Sequence, residues 1–150
     1  MDLHGTINHV ALTVSDLDSA MRFLSPILEA LGYSVGQPMD YGESRLTVNV
    51  HDGNGTAINV WQATKAHPFE PYEPGLHHIA LNVSSSDAVD EIRDIAVAAG
   101  ARVLDGPGAF PFAHQGYYAV YFLGPDKIKF EIVHMAGLAD AVARGKASLA

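Results

Sequence analysis

The sequence predicts an α+β fold built from two βαβββ halves, and three observations lead to this prediction. A strand-like stretch of eight residues occurs at 7–14 and again, in similar form, at 76–83. Each copy precedes an amphipathic segment with helical spacing that ends at a glycine. Each helical segment then leads into stretches typical of strands, separated by turn residues such as Gly, Asn and Asp.

The two copies read Ile-Asn-His-Val-Ala-Leu-Thr-Val and Leu-His-His-Ile-Ala-Leu-Asn-Val. Aligning His9 with His78 gives an offset of 69 residues. The same offset pairs identical residues at further positions, namely Ala11 with Ala80, Leu12 with Leu81, Val14 with Val83, Ser15 with Ser84 and Asp18 with Asp87. Self-similarity at one fixed offset indicates an internal repeat.

A helix is expected after each repeated strand. Serine and aspartate cluster at 15–18 and at 84–87, where their side chains can cap a helix N-terminus. Apolar residues follow at helical spacing until Gly32 in the first half and Gly100 in the second, as expected for glycines that end helices. Pro26 lies inside the first helical segment, and we expect it to kink or shorten that helix.

Three strands are expected after each helix, which makes each half βαβββ. In the first half they are expected near 33–37, 44–51 and 56–62, and in the second near 101–104, 116–123 and 127–134. A proline-rich stretch separates the halves. We therefore expect one structural domain with a first module at 1–64, a linker at 65–75, a second module at 76–136 and a C-terminal tail at 137–150.

Composition excludes several classes of function. The chain of 150 residues has a formal net charge of −8, which argues against binding to nucleic acid or to an acidic membrane surface. It has no cysteine, so disulfides, thiolate nucleophiles and iron–sulfur clusters are excluded. Neither a signal-like N-terminus nor a bilayer-spanning stretch is evident, so we expect a cytoplasmic protein with a small-molecule partner.

Three residues could form a metal site. His9 and His78 occupy equivalent positions in the repeat, and imidazole is a common metal ligand. If the halves are related by a pseudo-twofold axis, these histidines can face each other across it. Glu131 lies in the last strand, on the face opposite to Phe130 and Ile132. Two histidines and a carboxylate are typical of non-haem Fe(II), although Zn, Mn, Ni or Co can use the same ligands.

Each candidate also has an ordinary interpretation. A buried histidine is often a hydrogen-bonded core residue, and Glu131 could be a solvated residue paired with a lysine. In the matching strand of the first half, Asn59 occupies the place of Glu131. Asparagine is a poor metal ligand here, so the two halves are expected to contribute unequally to the site.

The chain resembles the vicinal oxygen chelate superfamily, which includes glyoxalase I, extradiol dioxygenases and bleomycin-resistance proteins. The resemblance covers residues 7–134 and rests on residues 8–12, on residues 77–81, and on Gly124-Pro125-Asp126 leading into Phe130-Glu131. It implies a cupped, mostly antiparallel eight-stranded sheet around one divalent metal held by His9, His78 and Glu131. It also implies a small substrate that chelates the metal through adjacent oxygens, and a possible homodimer.

Within this superfamily the sequence leaves two reactions open. Glyoxalase I-like members normally carry a carboxylate where this chain has Asn59, and that carboxylate removes a proton from the substrate. An amide cannot do so, so a lyase or isomerase reaction would need Glu131 or another group as base.

The second reaction is ring cleavage. The run from His114 through Tyr121 to Glu131 resembles the extradiol dioxygenase signature, but it departs from it at Gly124 and Lys127. The resemblance implies that His114 and Tyr121 handle protons near the metal. Their ordinary interpretations are a loop histidine and a packed strand tyrosine.

Two further classes compete with the enzyme. The first is a non-catalytic protein that binds a drug or a metabolite, as bleomycin-resistance proteins do with this fold. Those proteins lack the three metal ligands, so a complete set of ligands disfavours this class. The second is an interaction module in which the histidines are structural.

Overall fold

The structure, a computed structural model, describes residues 7–65, 67–111, 116–135 and 137. These residues form two helices, nine strands and a short 3-10 turn at Pro125–Lys127. The elements in chain order are β1 (His9–Val14), α1 (Leu17–Ala30), β2 (Tyr33–Ser34), β3 (Met39–Tyr41), β4 (Ser44–His51), β5 (Ala57–Gln62), β6 (Ile79–Asn82), α2 (Ser86–Ala98), β7 (Arg102–Ala109), β8 (Tyr117–Leu123) and β9 (Lys129–Met135).

The strands form one sheet from each half. The first has the order β1-β5-β4-β2, with β3 also paired to β4, and the second has the order β6-β9-β8-β7. The first strand of each half runs parallel to the last, and the other pairs are antiparallel. The α+β class and the two βαβββ modules are thereby confirmed.

The two sheets stay separate within the described part of one chain. Because β1 pairs only with β5 and β6 only with β9, each of these strands has one edge without a partner strand in the described ranges. A single eight-stranded sheet would require a partner at those edges. The structure also adds β3 and extends β7 to Ala109, which the sequence patterns did not indicate. The exact module and linker boundaries remain a prediction.

Side-chain caps begin both helices, as expected. Asp16 accepts a hydrogen bond from the Ser19 backbone N–H at 2.6 Å, and Ser85 accepts one from Ala88 at 3.1 Å. Helix α1 continues through Pro26 to Ala30, so the expected shortening does not occur. Pro26 is exposed to solvent, where water can satisfy the carbonyl that loses its helical partner. No helix in the described residues is long and apolar enough to cross a membrane.

One hydrophobic core joins the two halves. Residues from both helices and both sheets belong to it, including the fully buried Leu17, Val89 and Phe122. The ring of Phe122 lies 6.4 Å from that of Phe23 in α1 and stacks on Phe130 at 5.8 Å. Because the core side of each sheet is covered by helices, the opposite faces are left for binding.

The Gly124-Pro125-Asp126 turn connects the second half to the first through hydrogen bonds and close packing. Asp126 accepts hydrogen bonds from the backbone N–H and the hydroxyl of Ser15, at the end of β1. A Cβ on Gly124 would lie 2.8 Å from a ring atom of Phe23 and 2.9 Å from one of Phe130. The glycine therefore allows this turn to pack closely over the shared core.

Replacing Asp126 should destabilise the fold through this contact. We expect Asp126→Ala to lower the free energy of unfolding by about 1–3 kcal/mol, because both Ser15 donors lose a charged acceptor. Urea denaturation measures the change. Glu43→Ala, in an exposed turn, is the matched control and should change stability by less than about 0.5 kcal/mol. Equal effects of the two variants would contradict the assignment.

Candidate metal centre

Glu131 lies at the centre of the second sheet and is only 2% exposed. On β9 its neighbours across the sheet are Ala80 in β6 and Tyr121 in β8. Phe130 and Ile132 point into the core, so strand alternation turns Glu131 to the opposite face. A buried carboxylate is costly unless polar groups contact it, which makes its partners the first question.

Three side chains contact the Glu131 carboxylate. The Tyr117 hydroxyl donates a hydrogen bond to Oε1, and Nε2 of His78 lies 3.1 Å from Oε2. The Tyr121 phenol lies close enough for the carboxylate to raise its pKa, and its ring packs edge-on against that of His78, with the ring centroids 6.2 Å apart. Both carboxylate oxygens are therefore contacted by groups that come from β8 and from the residue just before β6.

The two tyrosine hydroxyls keep their protons in this site. Burial, followed by the hydrogen bond to Glu131 and the carboxylate's charge, raises the pKa of Tyr117 from 10.0 to about 12. The same causes raise the pKa of Tyr121 well above its ordinary value. Both phenols therefore stay protonated at neutral pH and donate toward Glu131 rather than compete with it for charge.

His77 also contacts the site, through His78. Strand alternation predicts that His77 points away from His78, but its Nδ1 lies 2.6 Å from Nδ1 of His78. The reason is that β6 begins only at Ile79, so alternation does not apply to residues 77 and 78. One imidazole nitrogen donates and the other accepts, so His77 holds the ring of His78 in orientation.

His78 and Glu131 fit two positions of a metal site. Donors bound at about 2.1 Å to one ion and at a right angle to each other are about 3.0 Å apart. The 3.1 Å between Nε2 of His78 and Oε2 of Glu131 matches this separation. Imidazole nitrogen and carboxylate oxygen are also donors that suit Zn, Mn, Fe, Ni or Co.

His9 does not reach this pair within one chain. It is exposed on β1, and its Nδ1 lies 2.8 Å from the side-chain oxygen of Asn8. Among the described residues, no three His, Cys, Asp or Glu side chains are grouped so that they could hold a metal ion. The structure thus brings together two of the three predicted ligands.

The first sheet presents a different open face. Asn59 lies there between Ala11 and Val48, and its Oδ1 is buried without a hydrogen-bond partner in the described structure. Large apolar side chains are exposed nearby, including Met39 at 50% and Tyr41 at 67%, and the ring of Tyr41 packs on Trp61. This face offers an apolar wall in place of a buried carboxylate.

The other predicted residues divide as follows. Tyr121 lies in the site, whereas His114 falls outside the described residues. Tyr117 was missed as a site residue, although alternation along β8 puts it on the same face as Tyr121. That spacing was the one available signal for Tyr117, because its contact with Glu131 depends on the pairing of β8 with β9.

The free energy of unfolding at alkaline pH should depend on the hydrogen bond between Tyr117 and Glu131. The pKa of Tyr117 is raised in the folded state, so its contribution is complete below about pH 10 and is lost as the pH rises to about 12. We expect the stability difference between wild type and Tyr117→Phe, measured by urea denaturation, to shrink over this interval. Tyr41→Phe, at an exposed site, controls for general alkaline destabilisation. A difference that does not depend on pH would refute the hydrogen bond to Glu131.

Two curated proteins are similar over most of the chain. The uncharacterized protein YqjT of Bacillus subtilis (strain 168) is 35% identical over 133 residues, covering 85% of this chain and 97% of its own length. The 2-epi-5-epi-valiolone epimerase of an Actinomyces species is 29% identical over 151 residues, covering 86% and 79%.

Solved structures share the fold. A glyoxylase/bleomycin resistance protein/dioxygenase domain from Frankia sp. EAN1pec matches with a TM-score of 0.72 and 25% identity, over 88% of this chain and 98% of that one. The fosfomycin resistance protein FosX of Listeria monocytogenes, in complex with Mn(II) and sulfate, matches with a TM-score of 0.66 and 19% identity, over 93% and 99%.

The family model for the Glyoxalase/Bleomycin resistance protein/Dioxygenase superfamily matches residues 6–132. This span contains all described residues of the first module, most of the second module, and both residues of the His78–Glu131 pair. The superfamily includes metal-dependent enzymes and proteins that bind small molecules. The chain belongs to the glyoxalase/bleomycin resistance protein/dioxygenase superfamily.

Proposed function

We propose that the protein is a metal-dependent enzyme whose small substrate binds the ion through two adjacent oxygens. The observation that carries this proposal is the buried Glu131 carboxylate, with His78 Nε2 at 3.1 Å from it. A carboxylate that is only 2% exposed is costly to bury unless a positive charge lies close to it. A bound cation would supply that charge, and the imidazole lies at the spacing of a second ligand. A divalent ion held there would act as a Lewis acid toward both substrate oxygens.

We further propose that His9 comes from a second copy of the chain. His9 is exposed on β1, and one edge of β1 and one edge of β6 lack partner strands in the described structure. In a homodimer that joins β1 of one copy to β6 of the other, His9 would approach His78 and Glu131. The eight-stranded cup would then contain the first module of one copy and the second module of the other.

The chain's own residues would prepare the site. The Tyr117 hydroxyl, whose pKa is raised to about 12, donates a hydrogen bond to the Glu131 carboxylate. The protonated Tyr121 hydroxyl lies beside the same carboxylate, and the two would hold it in place. His77 orients the ring of His78 through the Nδ1 contact at 2.6 Å. Mn is one candidate ion because the FosX structure contains it, and Fe, Zn, Ni and Co remain open.

Within the superfamily we favour proton transfer next to a carbonyl, as in an isomerase or lyase. The similarity to an epimerase, at 29% identity over 86% of the chain, supports this class. Asn59 cannot accept a proton, so the base must be another group, and Glu131 is the carboxylate that the site offers. Protonated Tyr117 and Tyr121 are then the adjacent proton donors.

Extradiol dioxygenation is the second candidate. Tyr121 packs against His78 and lies beside Glu131, where the resemblance to dioxygenases implies a proton-handling tyrosine. Two histidines and one carboxylate also suit non-haem Fe(II). The role of His114 in that reaction stays a proposal.

Metal binding tests the ligand set. We expect His78→Ala and Glu131→Gln to weaken Mn(II) binding, measured by calorimetry, by more than about 100-fold, because each removes a direct ligand. His9→Ala should have a similar effect. The matched control is His67→Ala, an exposed histidine bonded to the Pro68 carbonyl, and it should bind metal like wild type.

Mixing variants tests whether His9 acts across two copies. The His9→Ala chain keeps His78 and Glu131, and the double variant His78→Ala/Glu131→Gln keeps His9. If the two are unfolded and refolded together, random pairing should restore about one quarter of the wild-type sites. Full metal binding by His9→Ala alone would refute its role as a ligand. Loss in both variants without recovery on mixing would refute sharing between copies.

Two probe reactions separate the chemistries. With dihydroxyacetone and Mn-loaded protein in heavy water, we expect metal-dependent exchange of hydrogen on the carbon beside the carbonyl, followed by proton NMR. Glu131→Gln should abolish the exchange. Oxygen uptake on catechol by Fe-loaded protein would instead favour dioxygenation. Tight, metal-dependent binding of both probes without either reaction would favour a non-catalytic binding protein.

A further inference from the structure

Five side chains form a closed ring of contacts at the rim of the candidate metal centre. Each ring or cation touches the next, in the order Tyr72, His77, His78, Tyr121, Lys129 and back to Tyr72. The ring centroids of the first three pairs are 5.2, 4.9 and 6.2 Å apart, and Nζ of Lys129 lies 4.8 Å from the Tyr121 centroid and 5.7 Å from the Tyr72 centroid. The only aliphatic amine in this rim is Lys129.

Lys129 is positioned by aromatic rings rather than by an acid. Its Nζ lies 4.8 Å from the ring centroid of Tyr121 and 5.7 Å from that of Tyr72. The ion pairs among the described residues involve Arg45, Arg93, Lys127 and His78. Lys129 forms no ion pair with a described carboxylate. Cation–π contacts hold an ammonium group in place while its N–H groups stay available as donors.

The location of this cation relates it to the substrate site. Lys129 precedes Glu131 by two residues on β9, so both side chains leave the same face of the sheet. Two residues of a strand span about 7 Å. Lys129 is half-buried. The protein has a net charge of −8, so a fully solvated lysine would readily pair with an acidic side chain.

We infer that the substrate carries an anionic group, such as a carboxylate, which Lys129 binds while two adjacent oxygens of the substrate bind the metal. The spacing on β9 places that anion a few bonds from the chelating oxygens. This inference rests on the proposed function, since it takes the His78–Glu131 side of the rim as the metal side. Lys129 is then a specificity-determining residue.

Two probes that differ by one carboxylate test this inference. Catechol and 3,4-dihydroxybenzoate both offer adjacent oxygens, but only the second carries an anion at neutral pH. We expect Mn-loaded wild type to bind 3,4-dihydroxybenzoate about 10- to 100-fold more tightly than catechol in calorimetry, because a charge-assisted hydrogen bond is added. Lys129→Gln should lose most of this preference, and Lys129→Arg should keep it.

Lys127→Gln is the matched control, because Lys127 is exposed and pairs with Glu70 at 3.5 Å outside the rim. It removes the same charge two residues away and should keep the preference. Mn(II) affinity and melting temperature are measured for each variant, so loss of fold or of metal is distinguished from loss of anion binding.

Equal binding of the two probes by wild type, or an unchanged preference in Lys129→Gln, would overturn the inference and leave the metal site intact. An equal loss in Lys127→Gln would also overturn it, since general charge would then explain the preference. Failure of wild type to bind Mn(II), Fe(II) or Zn(II) would refute the proposed function, and the inference with it.

Discussion

The burial of one carboxylate constrains the second half of this protein. An isolated charge at the centre of a sheet costs several kcal/mol, which Glu131 can avoid only through close polar partners. Two of these polar partners, Tyr117 and Tyr121, lie on β8, and the third, His78, directly precedes β6. On the other face of β9, Phe130 and Ile132 anchor the strand in the helical core. Contacts on both faces of β9 therefore position this carboxylate, which suits its proposed role as a metal ligand.

The two halves share a topology but differ in chemistry. Each has its first strand parallel to its last and covers one face of its sheet with a helix. In the second half the opposite face holds Glu131 and its partners. In the first half the matching place is Asn59, surrounded by apolar side chains such as Trp61 and Val48. On the proposed arrangement, the second half would bind the ion and the first half would contact the rest of the substrate.

The sequence predicted the local elements well because they depend on local signals. The repeated strands and both helices follow from alternation, capping residues and helix-ending glycines, which act over a few positions. Strand pairing is different, because it joins distant residues. The separation into two sheets could not be read from periodicity, and neither could β3.

The candidate site was predicted only in part for the same reason. His78 and Glu131 meet because β6 pairs with β9, a contact across about 50 residues that the family resemblance indicated and periodicity alone did not. Tyr117 and His77 were missed. The contact of Tyr117 depends on the register of β8 against β9, and that of His77 depends on where β6 begins.

On the proposed arrangement, metal binding and assembly are thermodynamically linked. An ion that binds only where His9 of one copy meets His78 and Glu131 of another stabilises the dimer over the separate chains. The same linkage makes the apparent metal affinity fall as the protein is diluted. A site whose ligands all came from one chain would show no such dependence on concentration. The open edges of β1 and β6 thus connect the sheet topology of a single chain with the chemistry of a shared centre.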